Sequence, residues 1–163
     1  MPIGEDDVPK RETRGMTVAV NRRARYDYDL QDRFEAGLEL LGTEIKSIRD
    51  RNVTISEGFA RFQDGELWLY NVNIALYPPS IDNHEPGRTR KLLLHRRELD
   101  RLERDLRQNP RGTVVPLRLY LDRGLAKIEI ALGYGRRSYD KRQVIAQRDS
   151  DRAIRRALRH EQR

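Results

Sequence analysis

The sequence predicts a mainly β protein: a small antiparallel β-barrel of OB type with two to three short helices and a basic C-terminal tail that is disordered when free. Several short stretches alternate apolar and polar residues, as half-buried strands do, and turn residues separate them. Only a few stretches have helical spacing, which favours an antiparallel barrel over a parallel α/β sheet. The tail is predicted because the last fifth of the chain is rich in arginine and poor in large apolar residues.

Charge divides the chain into a near-neutral body and a basic end. Residues 133–163 carry 10 Lys or Arg against 4 Asp or Glu, whereas residues 1–132 carry 23 against 22. This pattern is typical of a folded module that presents a flexible arm to a polyanion, although a solvated tail without function has the same pattern. We predict a flexible segment over 1–16, the barrel over 17–134 and the tail over 135–163.

Composition argues against several classes of protein. The chain has no cysteine, so a disulfide framework and thiolate metal sites are excluded. The first 15 residues lack the apolar core of a secretory signal, and no apolar run has the length of a membrane span, so we expect a cytoplasmic protein without membrane contact. His84, His95 and His160 lie far apart and are expected at the surface, and no serine sits in a G-x-S-x-G motif. We therefore expect no metal site, no cofactor and no catalytic residues.

The first long alternating stretch predicts a strand followed by a helix. From Tyr26 to Leu40 every second residue is apolar except at Asp32, which predicts a half-buried and bent strand. Leu41, Ile45 and Ile48 are then spaced i, i+4 and i+7, which predicts a short amphipathic helix over about 42–51.

Two hairpins and a surface helix are predicted next. Asp64-Gly65 lies between the apolar stretches 59–62 and 67–70 and is a strong hairpin signal. Residues 77–91 are rich in Pro and Gly and predict a loop. Helical spacing from Leu99 to Leu106, ended by Asn109-Pro110, predicts a surface helix. Alternation over 117–121 and 126–132 around a turn at 122–124 predicts the second hairpin.

The tail has helical spacing but little to bury. On a helical wheel one narrow side collects Ala146, Ser150, Ala153, Ile154 and Ala157, with Leu158 beside them. Burying mostly alanine, at about 25 cal/mol per Å², does not offset an ordering cost of roughly 1–2 kcal/mol per residue. We therefore expect the tail to be disordered when free and helical on a partner.

The root of the tail is its most basic part. Residues 135–142 contain four cations and Tyr139, so they can combine phosphate contacts with base stacking. A solvated strand exit is the alternative interpretation of the same residues.

Four blocks of sequence resemble the SsrA-binding protein (small protein B) family and occur in that family's order. They are NRRARYDY at 21–28, FEAGL with GTEIKSIR within 34–49, RTRKLLLH at 88–95 and DKR at 140–142. The linked blocks make the resemblance specific, whereas no single block would do so.

The resemblance implies an OB-type barrel that binds transfer-messenger RNA and accompanies it into ribosomes stalled on messages without a stop codon. It implies a non-catalytic protein whose barrel stands in for the anticodon arm that this RNA lacks, and whose tail enters the empty messenger channel and becomes helical there. The implied partners are transfer-messenger RNA, the small ribosomal subunit with its rRNA, and the elongation factor that carries aminoacyl-tRNA. The free protein is expected to be a monomer.

By position, the resemblance implies an RNA-binding set in the body and a ribosome-facing set in the tail. The RNA-binding set is Asn21, Arg22, Arg23, Tyr26, Glu35, Arg88, Arg90, Lys91 and Leu93. The ribosome-facing set is Arg136, Arg137, Tyr139, Asp140, Lys141, Arg142, Arg148, Arg152, Arg155 and Leu158. Glu35 lies opposite the apolar face of its strand, where it can accept hydrogen bonds from base amines or simply form the polar face. The basic residues of 88–91 are expected to contact phosphate.

The chain departs from the family pattern at two places. Tyr26 stands where the family usually has histidine, so a stacking contact survives while any role of a protonated imidazole is lost. Ser150 stands where some members have an aromatic residue, so tail anchoring rests more on arginine–phosphate contacts. A ribosomal structural or assembly protein with a basic extension remains the main alternative, and an OB-barrel nuclease or RNA-modifying enzyme is a further one.

Overall fold

The computed structural model describes residues 15–136 and 138–161, which form nine strands and four helices among them. In chain order the elements are β1 (Met16–Val20), α1 (Ala24–Asp27), β2 (Tyr28–Leu38), α2 (Gly42–Arg49), β3 (Val53–Thr54), β4 (Phe59–Gln63), β5 (Glu66–Tyr70), β6 (Asn73–Ile74), β7 (Arg90–Leu93), α3 (Arg96–Gln108), β8 (Gly112–Asp122), β9 (Leu125–Gly135) and α4 (Ser138–Glu161). The protein is therefore mainly β, as predicted. Residues 1–14 of the predicted flexible segment lie outside the described residues.

One large antiparallel sheet forms the body. Its seven strands follow the order β1-β8-β4-β5-β7-β2-β9, and β3 and β6 form a separate two-stranded sheet. Because β8 also pairs with β9, the hydrogen bonds run around a closed ring of six strands. The ring places the outward side chains of neighbouring strands side by side, and this positions the candidate site.

Both predicted hairpins are present. β4 pairs with β5 around Asp64 and Gly65, whose φ angles are 52° and 78°. β8 pairs with β9 around Arg123 and Gly124, whose φ angles are 51° and 80°. Two successive residues with positive φ form the type of tight turn that matches the twist of a hairpin, and glycine adopts this conformation without a steric cost.

The predicted bend in the first long strand is also present, although the strand begins later than expected. The pairing of β2 with β9 changes register between Leu30 and Arg33, which is where the alternation fails at Asp32. Tyr26 was predicted in this strand but lies in α1, a single helical turn. An element of four residues is too short to interrupt an alternating pattern visibly.

The core fills the interior of the ring and is closed by helices. Its buried apolar side chains include Phe34, Ala36, Ala60, Leu67, Leu69, Leu92, Val114, Leu119, Ile128 and Ile130. Ile48 of α2 and Leu102 of α3 belong to the same core, as their predicted apolar faces require. Each of the larger side chains stabilises the fold by roughly 1.5–3 kcal/mol relative to an exposed position, and the two alanines contribute less. Leu41, the first residue of the pattern predicted for α2, instead precedes the helix and is exposed.

His84 corrects the expectation that the histidines lie at the surface. It is buried, with its Nε2 2.8 Å from the carbonyl oxygen of Ile74 and its Nδ1 2.8 Å from Thr43 Oγ1. Because a carbonyl only accepts, Nε2 donates to Ile74, and Nδ1 forms the second hydrogen bond with the threonine hydroxyl. The histidine therefore ties the 77–91 loop to α2.

The C-terminal segment is a long helix that leaves the body. Lys141 and Val144 are partly buried, whereas every residue from 145 to 160 is exposed. α4 therefore lacks the apolar packing that stabilises most protein helices, and the disorder of the free tail stays a prediction. In the part of the chain that the structure describes, no helix is long and apolar enough to cross a membrane.

Candidate RNA-binding surface

Three of the candidate RNA-binding residues share the outer face of the sheet. Gly37 of β2 pairs with Leu93 of β7, so Glu35 and Lys91, each two residues away, lie on the same outward side. Leu93 is 48% exposed for this reason, and it covers the open backbone at Gly37. Glu35, Lys91 and Leu93 thus share one face across two neighbouring strands, with Leu93 between the other two along the ladder.

Glu35 is accessible but already bound to protein groups. Its Oε1 accepts a hydrogen bond from Lys127 Nζ at 3.0 Å, and 38% of its side chain is exposed. The same bond raises the pKa of Lys127, while burial and a hydrogen bond to Glu35 raise the pKa of Tyr120. The carboxylate is therefore fixed in orientation by β8 and β9 before any ligand arrives.

Residues 88–91 do not act as one basic cluster, and Arg90 corrects the prediction. Along β7 the side chains alternate, so Lys91 and Leu93 face outward while Arg90 and Leu92 face inward. Arg90 is 1% exposed, and its guanidinium donates to Glu44 and to the carbonyl oxygens of Val72 and Pro86. A side chain that is buried and saturated in this way cannot contact phosphate.

Glu44 of α2 is the partner that holds the inward arginine. Its Oε1 lies 2.9 Å from Arg90 Nε, its Oε2 lies 2.8 Å from Arg88 Nη2, and Leu41 N–H also donates to it. Burial on its own raises the pKa of this carboxyl, but hydrogen bonds from Arg88, Leu41 and Arg90 outweigh it and lower the pKa to about 2. The carboxylate therefore stays ionised inside the fold and pairs with both arginines, which leaves one net positive charge on the group.

The two remaining cations of the segment stay partly accessible. Arg88 is engaged by Glu44, and 32% of its side chain is exposed. Lys91 Nζ lies 2.9 Å from Glu66 Oε1, and this hydrogen bond raises the pKa of Lys91. Lys91 can turn toward phosphate, since an exposed ion pair contributes at most about 1 kcal/mol. Arg88 stays in a two-point hydrogen bond with the buried Glu44 and offers phosphate only the exposed part of its side chain.

A second group of candidate residues surrounds α1. Arg22 and Arg23 are exposed in the turn before the helix. Asn21 is 6% exposed, and its Nδ2 donates to the carbonyl oxygen of Pro116 at 2.9 Å, while its Oδ1 has no hydrogen-bond partner among the described residues. Asn21 thus fixes the α1 turn against β8. Two strands, β8 and β9, separate it from Glu35 in the sheet.

The tail root meets the body at α1. Lys141 Nζ lies 3.2 Å from Asp27 Oδ1 and 5.5 Å from the centre of the Tyr26 ring. Arg136 N–H donates to the carbonyl oxygen of Asp27, and its guanidinium lies 4.0 Å from Asp29. Tyr26 was predicted to bind RNA and Lys141 to face the ribosome, and in the structure these two residues contact each other.

The rest of the predicted tail set lies along α4 or outside the description. The exposed members are Arg142, Arg148, Arg152, Arg155 and Leu158. Tyr139 and Asp140 lie within α4, and Arg137 lies outside the described residues. The four exposed arginines keep the high positive charge that composition predicted for this segment.

Sequence reasoning missed an aromatic group on the first hairpin. Phe59 and Arg61 of β4 pair with Tyr70 and Trp68 of β5, on the side of the sheet away from the core. The signal was present in the sequence, because these residues alternate with the apolar residues Ala60, Leu67 and Leu69. Phe59 and Arg61 also line a cleft of about 360 Å³ that reaches Asn21 and Arg23.

No group of three His, Cys, Asp or Glu side chains suited to a metal ion occurs in residues 15–136 and 138–161 as the structure describes them. What the surface offers is arginine, lysine, aromatic rings and one oriented carboxylate. These groups bind phosphates, stack on bases and accept from base amines.

Comparison with known proteins places the chain beside one family. The model of the SmpB protein family matches residues 18–160. The SsrA-binding protein of Limosilactobacillus fermentum is 50% identical over 145 residues, which cover 88% of this chain and 91% of that protein. The SsrA-binding protein of Thermobifida fusca is 51% identical over 144 residues, which cover 88% and 89%. A solved structure described as "tmRNA-SmpB: a journey to the center of the bacterial ribosome" has a TM-score of 0.62 and 44% identity, and covers 78% of this chain and 93% of that one.

Proposed function

The chain belongs to the SmpB protein family, and from this premise we propose that it binds transfer-messenger RNA and acts with it on ribosomes in trans-translation. The observation that carries the proposal is the identity of about half of all residues, over most of the chain, to SsrA-binding proteins. The solved relative supports the ribosome as the place of action. The blocks that carried the resemblance at the outset all lie within the matched range.

The body performs RNA binding in this proposal. The closed ring of strands is an OB-type barrel, and its outer face presents Glu35, Lys91 and Leu93. The α1 turn adds Asn21, Arg22 and Arg23 as a second contact. Arg88 contributes a partly accessible guanidinium, whereas Arg90 supports the surface from inside by holding β7 to α2.

The tail performs ribosome binding. Its exposed arginines contact rRNA phosphates in the empty messenger channel, where α4 is helical, and the elongation factor that carries aminoacyl-tRNA joins the delivered complex. The protein itself is non-catalytic, cytoplasmic and monomeric when free. The contrast between the near-neutral residues 1–132 and the basic residues 133–163 supports this division of labour.

Binding measurements at two salt concentrations test the proposal. We expect transfer-messenger RNA to bind more tightly than ordinary tRNA at both concentrations, because shape and base contacts add to the phosphate contacts. Lys91→Gln is expected to lower the affinity and to reduce the salt slope by about 1, as the loss of one phosphate contact does. Equal affinities and equal salt slopes for the two RNAs would reduce the activity to generic polyanion binding.

A further inference from the structure

We propose that Phe59, Arg61, Trp68 and Tyr70 form a stacking platform for unpaired bases of the RNA that this protein binds. The inference rests on the proposed function and adds a contact to it. The platform is the outward face of the β4–β5 hairpin, and its occupant is single-stranded RNA within transfer-messenger RNA. The chain's own aromatic rings and one guanidinium plane supply the surface.

The four side chains form two cross-strand pairs. Phe59 stacks on Tyr70 with ring centres 5.4 Å apart and an angle of 11° between the planes. Arg61 lies opposite Trp68 in the register, and its guanidinium carbon is 5.0 Å from the centre of the Phe59 ring. The platform therefore combines three π surfaces with a cation, and both bind nucleobases by stacking.

The inner face of the same hairpin is enough to hold it to the body. Ala60, Leu67 and Leu69 occupy the alternate positions and are buried in the core. Aromatic pairs across strands also stabilise a sheet, by roughly 0.2–1 kcal/mol per pair, and this accounts for Phe59 and Tyr70. It does not account for Arg61, which is exposed and has no carboxylate partner in the described part of the chain.

The position of the platform joins two groups of candidate residues that the sheet otherwise separates. On one side Trp68 pairs with Lys91 of β7, which leads to Leu93 and Glu35. On the other side Phe59 and Arg61 line the cleft that reaches Asn21 and Arg23. A strand of RNA that contacts both groups passes over the platform.

The charges along this path favour a polyanion. Arg23, Arg61 and Lys91 lie along it, and the acids that oppose them are Glu66, Glu57 and Asp27. Lys91 and Glu66 cancel each other, and so do Lys141 and Asp27, so Arg23 and Arg61 face only Glu57 and the path keeps a net positive charge. Phosphates can therefore approach while the bases turn toward the rings.

Trp68 provides a direct test because it is the only tryptophan in the chain. The full-length protein is titrated with transfer-messenger RNA, and tryptophan emission is recorded beside an independent binding assay. We expect the emission of Trp68 to be quenched with the same Kd as binding, and acrylamide quenching to be reduced in the complex. Tight binding with unchanged Trp68 emission would overturn the platform and leave the proposed function intact. A wild-type protein that does not distinguish transfer-messenger RNA from tRNA would overturn the proposed function itself.

Arg61→Ala tests the cation of the platform, with Arg104→Ala of α3 as the matched control. Both arginines are exposed, and both substitutions remove one positive charge. We expect Arg61→Ala to weaken binding about fivefold or more, as the loss of a stacked base does, and Arg104→Ala to change it less than about twofold. An effect of Arg61→Ala no larger than that of Arg104→Ala would overturn the inference. Melting temperatures of the two variants are compared to confirm that both remain folded.

Discussion

Arg90 is a buried arginine whose hydrogen bonds all go to protein groups, so it stabilises the fold rather than contacting RNA. Arg90 lies inside the sheet and Glu44 neutralises it from α2, 46 positions away in the chain. A buried charge without its partner costs several kcal/mol. The folded state is therefore stable only when α2 packs against β7 and brings Glu44 to Arg90. Side chains alternate along β7, so the inward position of Arg90 fixes Lys91 and Leu93 on the outward face.

Replacement of Glu44 tests the anchor. We expect Glu44→Gln to lower the free energy of unfolding by about 3–5 kcal/mol, because it leaves Arg90 buried without a counter-charge. Urea denaturation followed by circular dichroism measures the change. The matched control is Glu103→Gln, which breaks an exposed pair with Arg107 on α3 and should cost less than about 1 kcal/mol. Similar losses in the two variants would show that Glu44 has no special role.

The same pair predicts how stability depends on pH. The pKa of Glu44 is about 2 in the folded protein and 4.5 in its ordinary state. A carboxyl whose pKa is lowered by folding stabilises the native state above pH 4.5, and this contribution is lost as the pH falls from 4.5 toward 2. We expect the wild type to lose more stability than Glu44→Gln over this range, as measured by urea midpoints at each pH. Parallel losses in both proteins would contradict the assignment.

Side-chain direction was the part of the site that the sequence predicted least well. Alternation correctly placed Glu35 on the outward face of its strand, because seven apolar residues at alternate positions between Tyr26 and Leu40 predict the inner face. Residues 88–91 offered no such guide, since a Pro-rich loop precedes them and β7 is only four residues long. The inward turn of Arg90 depends on Glu44 in a distant helix, and local spacing cannot encode that contact.

At the scale of elements, α1 is the joint between the body and the tail. It consists of one helical turn, tied to β8 through Asn21 and to α4 through Asp27 and Tyr26. Beyond Val144 the described residues of α4 are exposed, so these contacts at the root are the ones that set the direction in which the tail leaves the body. The tyrosine at position 26 suits this role, because an aromatic ring attracts the ammonium of Lys141.

Removal of the acidic partner in this joint should loosen the root of α4. We expect Asp27→Asn to accelerate amide hydrogen exchange in residues 141–145 about two- to fivefold, the effect of losing about 0.5–1 kcal/mol. Residues 146–160 should exchange rapidly in both proteins, since they bury little apolar surface. Asp32→Asn is the control, because Asp32 pairs with Arg101 of α3 instead. Unchanged exchange at 141–145 would show that the ion pair does not hold the tail.

The elements themselves were largely predictable, with exceptions that share a physical cause. Both hairpins, the bent strand and the helices α2 and α3 follow from residue spacing and turn residues. The short strands β3, β6 and β7 were missed, since two to four residues give no measurable period. β1 was also missed, and its edge position next to β8 leaves it with only partial burial.

At the scale of the whole molecule, charge and packing are distributed in opposite ways. Among the residues whose burial the structure describes, the body contains nearly all of the buried apolar surface and the segment 133–136 and 141–160 contains almost none. Residues 133–163 nevertheless contain most of the net charge of the chain. Net charge therefore cannot guide the body to RNA, and the contacts proposed for it come from local groups such as Lys91, Arg23 and Arg61. The binding proposed for the tail depends on long-range attraction to phosphate, which salt weakens.

This distribution predicts that the two activities can be separated. Truncation after Arg142 retains Lys141 and the joint at α1 but removes the exposed part of α4. We expect the truncated protein to bind transfer-messenger RNA within about twofold of the full chain, because the body contacts are intact. Tagging of incomplete proteins on stalled ribosomes should be lost, as measured in a strain that lacks the endogenous protein.

A full-length variant with Arg148, Arg152 and Arg155 changed to glutamine controls for chain length, and it should also fail in tagging if arginine–phosphate contacts anchor the tail. A collapse of RNA affinity after truncation would instead place part of the RNA-binding surface on α4, and the division between body and tail would be wrong.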